Sequence, residues 1–156
     1  MASSIENLIK VLTDFPDILT ERLVEKVQPL FDEKLHQVVE SYYGDYTSQS
    51  KKKYIRTNNF MNSAKSYWST NGSNIHIEIG EDMMDYPGFP WGSSLDADVA
   101  WQYNFEEGEH GHGRFLKATT EPSPYETMQN YVDNNFDNEL IDILLQTANE
   151  ILREIK

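Results

Sequence analysis

Glu106, Glu107, Glu109, His110 and His112 fall in one short run with Gly108, Gly111 and Gly113, the densest set of metal-ligating side-chain types in the chain. Two imidazoles at i and i+2 beside carboxylates are donors that zinc and other divalent cations take, and glycine lets a backbone bend around an ion. A closed site needs about four ligands, and the other two histidines, His36 and His76, belong to distant stretches. The run therefore reads first as a Gly-rich turn with exposed histidines, with Glu109, His110 and His112 as the metal candidates. No catalytic residue and no cofactor follows. There is no Gly-x-Ser-x-Gly elbow, no phosphate-cradling glycine loop and no His-Glu-x-x-His pair. Acidic side chains are too abundant for two sequence neighbours to define a general acid and base, and the chain reads as a non-enzyme.

Two other stretches carry side chains suited to contact rather than reaction. Lys51, Lys52, Lys53 and Arg56 form a basic loop in an otherwise acidic chain. Such a loop is either a solvated charge run or a contact with another subunit or an acidic partner. Asp85–Ser94 has two prolines and two glycines, which exclude regular structure. Its Tyr86, Phe89 and Trp91 either fold back as a small core, the commoner fate of loop aromatics, or stay exposed as anchors for a partner.

The elements that must position these residues are legible from periodicity. From Ser3 to about Tyr43 apolar residues including Leu8, Leu12, Phe15, Leu19, Leu23, Val27, Leu30, Leu35, Val38 and Tyr42 recur at helical spacing. Ser3 and Glu6 have the form of a capping box. Pro16 and Pro29 predict either one long, kinked helix or two in series, with Gly44 as the stop. Asn58–Tyr67 is short helix or strand. Asn71-Gly72 between Tyr67-Trp68 and the alternating Ile75, Ile77 and Ile79 predicts a β-hairpin with those isoleucines on its buried face and His76 and Glu78 on its wet one. Val99, Trp101, Tyr103 and Phe105 alternate as in a strand, and Arg114–Ala118 is a further short strand. Phe136, Leu140, Ile143, Leu144, Ile151 and Ile155 mark a C-terminal helix, with Asn134 and Asn135 as caps. The expected fold is α+β: a long kinked N-terminal helix and a C-terminal helix packed on a small, mostly antiparallel sheet. It forms a single domain over 1–156, with helical segment 1–44, a β-rich centre 54–118 containing loop 82–94, and helix 134–156, and no internal repeat.

At 156 residues without cysteine, the chain can hold a core without disulfides and has no thiolate metal site. No apolar run approaches membrane-spanning length and the N-terminus lacks a signal-peptide pattern, so a soluble, unexported protein without a membrane partner is expected. The net charge is −13. No Lys or Arg occurs between Lys65 and Arg114, where Glu78, Glu81, Asp82, Asp85, Asp96, Asp98, Glu106, Glu107 and Glu109 accumulate. That field repels a nucleic-acid backbone, so sequence-specific nucleic-acid binding is not expected. The block is either a solvated surface, a face for a basic partner, or a lumen past which DNA moves without sticking.

The order of features also resembles a known family. A long N-terminal helix, Tyr42-Tyr43-x-x-Tyr46, Arg56-Thr57 followed by Asn59-Phe60-x-Asn62-Ser63, an alternating strand and a late Glu109-His110-Gly111 turn together resemble the head-tail joining or tail-completion proteins of long-tailed double-stranded DNA phages. The similarity spans roughly Glu25 to Gly113. Phe60 stands where the family usually has leucine, and the long Asp82–Ser94 loop departs from the pattern. The resemblance implies a phage or prophage virion structural protein at the neck, present in the host cytoplasm during assembly. It would act as a homo-oligomeric ring with other neck or tail proteins, its contacts made by Lys51, Lys52, Lys53, Arg56, Tyr86, Phe89 and Trp91. Two other readings stay open: a minor capsid or other virion component, and a small acidic module that binds or inhibits a basic partner.

Overall fold

The computed structural model describes residues 2–45, 62–82, 101–110, 118–119 and 122–154. Helix α1 (Ala2–Asp45) is the axis. At ~1.5 Å per residue it is about 65 Å long, and every other large element packs along its C-terminal half. The hairpin β1 (Ala64–Asn71) and β2 (Asn74–Glu81) lies on one side. A π-helical turn (Gln102–Glu106) and the two-residue strands β3 (Glu109–His110) and β4 (Ala118–Thr119) follow. Helix α2 (Pro124–Tyr131) then continues through a π-helical segment (Val132–Phe136) into α3 (Asp137–Glu154), which runs back along α1. The fold is α+β, with most of the described residues helical. Its strands form two separate antiparallel ladders rather than one sheet. Among the described residues no helix is long and apolar enough to cross a membrane.

Both prolines lie inside α1, which is one helix and not two in series. Proline has no N–H, so the carbonyls of Leu12 and Glu25 lose their intrahelical donors. Pro16 and Pro29 are both on the exposed side, where water can bond those carbonyls. The helix includes Ala2 and passes through Gly44, so Ser3 is not its cap nor Gly44 its stop. Leu23, Val27, Phe31, Leu35, Val38, Val39 and Tyr42 form its buried stripe, whereas Leu30 is 44% exposed. Phe31, the residue the sequence stripe passed over, is the centre of the core. Its ring meets Trp68 edge-on at 5.6 Å and Phe136 at 5.3 Å, the offset geometry that aromatic quadrupoles favour.

The hairpin has the expected faces, with Ala64, Trp68, Ile75, Ile77 and Ile79 turned to the core. Its turn differs by one residue. Asn71 pairs with Asn74, which leaves Gly72 and Ser73, not Asn71-Gly72, at the tip. Gly72 takes φ +59°, the conformation glycine adopts most readily. On the wet face Tyr67 lies across Gly80, where a Cβ would come within 3.3 Å of its ring, and donates to the Glu81 carbonyl at 3.0 Å. At the other end of the hairpin Asp82 N–H bonds the Ser63 carbonyl at 2.8 Å. Ser66, buried at the strand centre, fixes the hairpin to α1: its hydroxyl donates to Asp32 and accepts from the Trp68 indole at 2.7 Å.

Two further expectations are corrected. The alternating aromatics are not a strand. Trp101 and Phe105 sit four apart on one face of a helical turn, stacked at 4.5 Å and buried, while Tyr103 is exposed. Val99 lies outside the described residues. The C-terminal helical run begins at Pro124, not at 134. Ser123 and Glu126 form a reciprocal capping box (3.1 and 3.0 Å) with proline at the first helical position. Asn134 and Asn135 lie inside the helix, where Asn134 donates to the Asn130 carbonyl. Across the α1/α3 seam Arg22 pairs with Glu154 at 2.7 Å and Lys26 with Glu150 at 2.5 Å. Hydrogen bonding from these cations holds both carboxyls below their ordinary range.

Candidate functional site: an apolar cleft with an acidic mouth

The hairpin and α2 meet α1 from different directions and leave a wedge between them. The result is a cleft of about 390 Å³ lined by Phe31, Ile77, Glu78, Ile79, Phe105, Glu106, Tyr125, Met128, Gln129 and Val132. Each element supplies a distinct part. Phe31 of α1 is the floor and Ile77 and Ile79 of β2 are one wall, reached because strand alternation sends odd positions inward. Phe105 enters from the π-helical turn, which Tyr42 of α1 tethers by donating to Asn104 at 3.5 Å. The opposite wall is α2, whose Met128 and Val132 are one helical turn apart and whose start is fixed by the Ser123 cap.

The lining is mostly apolar, and the charged groups it contains have one sign. Glu78 and Glu106 are exposed at the mouth, with Tyr125 (48% exposed) and Gln129 beside them. No Lys or Arg lines the cleft. The volume lies in the range of small-ligand and side-chain pockets. Neither carboxylate stands beside a nucleophile in the lining, so the arrangement binds: it offers apolar contact inside and attraction for a cation at the rim.

A second unpartnered feature is the outer face of α3. Ile141, Leu145 and Leu152 are 52%, 57% and 48% exposed and share a row at i, i+4 and i+11. Leu140, Ile143 and Leu144 turn toward the core, and Thr147 and Ile151 are buried, so α3 is apolar on more than one face. The body also leaves much of α1 unspanned. Arg22 meets Glu154, the last described residue of α3, and residues 2–21 of α1 continue past that pair for about 30 Å.

The residues singled out by type are mostly not in the cleft. Lys51, Lys52, Lys53, Arg56, Tyr86, Phe89, Trp91 and His112 lie outside the described residues. The backbone of Glu109 and His110 forms β3, paired with Thr119 and Ala118. His36 and His76 are exposed on α1 and β2. Among the described residues no three His, Cys, Asp or Glu side chains gather to hold a metal. Glu78 and Glu106 were visible in the sequence only as members of the acidic block. What could have isolated them is the step from Ile77 and Phe105, each the immediate neighbour of a cleft carboxylate. No family model, no curated protein and no solved structure matches the chain.

Proposed function

We propose that this chain is a structural protein of a phage or prophage virion that acts in head-tail joining or tail completion, by assembling as a ring at the neck. The order of motifs from the N-terminal helix to the Glu109-His110-Gly111 turn supports the family. The observation that carries the assembly reading is the exposed row Ile141, Leu145 and Leu152 on α3. Large aliphatic side chains aligned at helical spacing are what a neighbouring subunit covers. On this reading the protein works by contact rather than catalysis, and acidic surface facing the bore keeps passing DNA from adhering.

The test is native mass by light scattering after size exclusion, across a range of concentrations. A discrete ring-sized oligomer, lost in Ile141→Asp and Leu145→Asp variants that keep the wild-type circular dichroism, supports the reading. A chain that stays monomeric at every concentration, including after addition of purified tails, overturns it.

One observation favours a second reading, a small acidic module that binds a basic partner: the cleft mouth carries two carboxylates and no cation. That function predicts a complex weakened strongly by salt, whereas an apolar ring contact survives moderate salt.

A further inference from the structure

The cleft and the basic loop are complementary in a way neither shows alone. The cleft has an apolar interior of about 390 Å³ built around Phe31, Ile77, Phe105 and Met128, closed at its mouth by Glu78 and Glu106. Lys51-Lys52-Lys53-Tyr54-Ile55-Arg56 concentrates four of the chain's 13 basic residues around an aromatic and a β-branched side chain. A partner segment must match a cleft in both characters, an apolar anchor for the interior and cations for the rim. In a chain of net charge −13, two copies otherwise repel, so a contact between copies needs its cations where the other copy is acidic.

We propose that the cleft is a peptide-docking site whose occupant is the segment Lys51–Arg56 of a second copy of this chain. Tyr54 or Ile55 enters the apolar interior, and the flanking lysines and Arg56 meet Glu78 and Glu106. The contact is heterologous: the giving and receiving surfaces are different parts of the chain. Repeated head to tail, it closes into a ring when the rotation permits. The proposal rests on the ring-assembly reading for its biological setting and supplies that ring with a directional joint, separate from the α3 row.

The test is titration of the full-length chain with a fluorescently labelled synthetic peptide covering Gln49–Asn58, read by anisotropy. Saturable binding in the micromolar range is expected. It should weaken at least tenfold for the Glu78→Lys/Glu106→Lys protein, and at least tenfold for a peptide with Tyr54→Ala and Ile55→Ala. Both glutamates are exposed, and thermal melting of the variant confirms that it folds. The altered peptide tests the apolar half with wild-type protein in any case. Absence of binding at millimolar peptide overturns the proposal, as does binding that ignores the Tyr54/Ile55 change, which would mark simple charge attraction. The ring reading is judged separately by light scattering. An oligomer whose chain does not bind the peptide sinks the joint and leaves the ring standing, and a peptide-binding chain that never assembles on its own or on tails does the reverse.

Discussion

Replacing Ser66 by alanine tests how the hairpin is held against α1, and therefore what keeps the β2 wall of the cleft in place. The hydroxyl is 2% exposed as part of its residue, donates to Asp32 and accepts from Trp68 Nε1 at 2.7 Å. Ser66→Ala removes a hydrogen bond to a carboxylate, worth ~1.5–3 kcal/mol, and strands the indole N–H, which costs ~1–3 kcal/mol where water cannot reach it. Asp32 and Trp68 are only half-buried, so water recovers part of both. The expected loss is about 2–3 kcal/mol, or roughly 5–10 °C in Tm for a chain of this size. Urea unfolding followed by tryptophan fluorescence and by circular dichroism measures it. Asp32→Asn keeps an acceptor at the same place and should cost only about 1 kcal/mol. In a Trp68→Phe background the Ser66→Ala loss should shrink, because no indole donor is left to strand. A loss below about 0.5 kcal/mol for Ser66→Ala alone would refute the reasoning and leave the hairpin held by apolar contact only.

Two further outcomes follow from α1 and from the π-helical segment. Pro29→Ala restores an N–H for the Glu25 carbonyl on an exposed helix face and should stabilise the chain by about 1–2 kcal/mol in urea, after allowing for a looser unfolded chain. A loss of stability would instead mean that α1 needs the bend proline provides. The Tyr131 phenol is pushed up to about 12, first by burial and then by its 2.8 Å donation to the Glu139 carboxylate, against the Lys34 ammonium 5.4 Å from its ring centre. The folded state thus holds this proton more tightly than the unfolded state, so its stabilising contribution is whole below pH ~10 and disappears as pH rises toward 12. Ultraviolet titration of wild type against Tyr131→Phe should show one phenol ionising late, and a normal midpoint for that phenol would contradict the geometry.

Period and turn chemistry made much of the architecture readable. Alternation placed Ile75, Ile77 and Ile79 on the buried face of β2, and 3.6-residue spacing found both long helices. What misled was spacing that fits two periods. Trp101, Tyr103 and Phe105 alternate, but Trp101 and Phe105 are also four apart, and stacking against each other inside a helical turn buries both. Leu30 and Phe31 are adjacent, so the stripe runs through either, and the larger ring takes the centre because it meets Trp68 and Phe136, residues from the far end of two other elements. Ser123-Pro124-Tyr125-Glu126 carried a full helix-start signature in plain sequence, and the Asn134-Asn135 pair drew attention from it. The cleft was not legible at all. Its walls come from four elements, and no periodicity within one element reports the gap between two others.

The pairing of Arg22 with Glu154 joins the first-made part of the chain to the last-made part, 132 residues apart. During synthesis α1 is complete long before its partner along the seam exists, and its apolar stripe has only the hairpin to cover it until α3 emerges. Contacts at such separation form late, because the loop that joins them must first be closed. The finished body is therefore a state that only a fully translated chain can reach, since one cut short at the C-terminus keeps α1 with one side bare. For a subunit that must add to an assembly in a fixed number of copies, that arrangement is a form of quality control: incomplete products lack the strap that closes the body, and they fail before they can occupy a place in it.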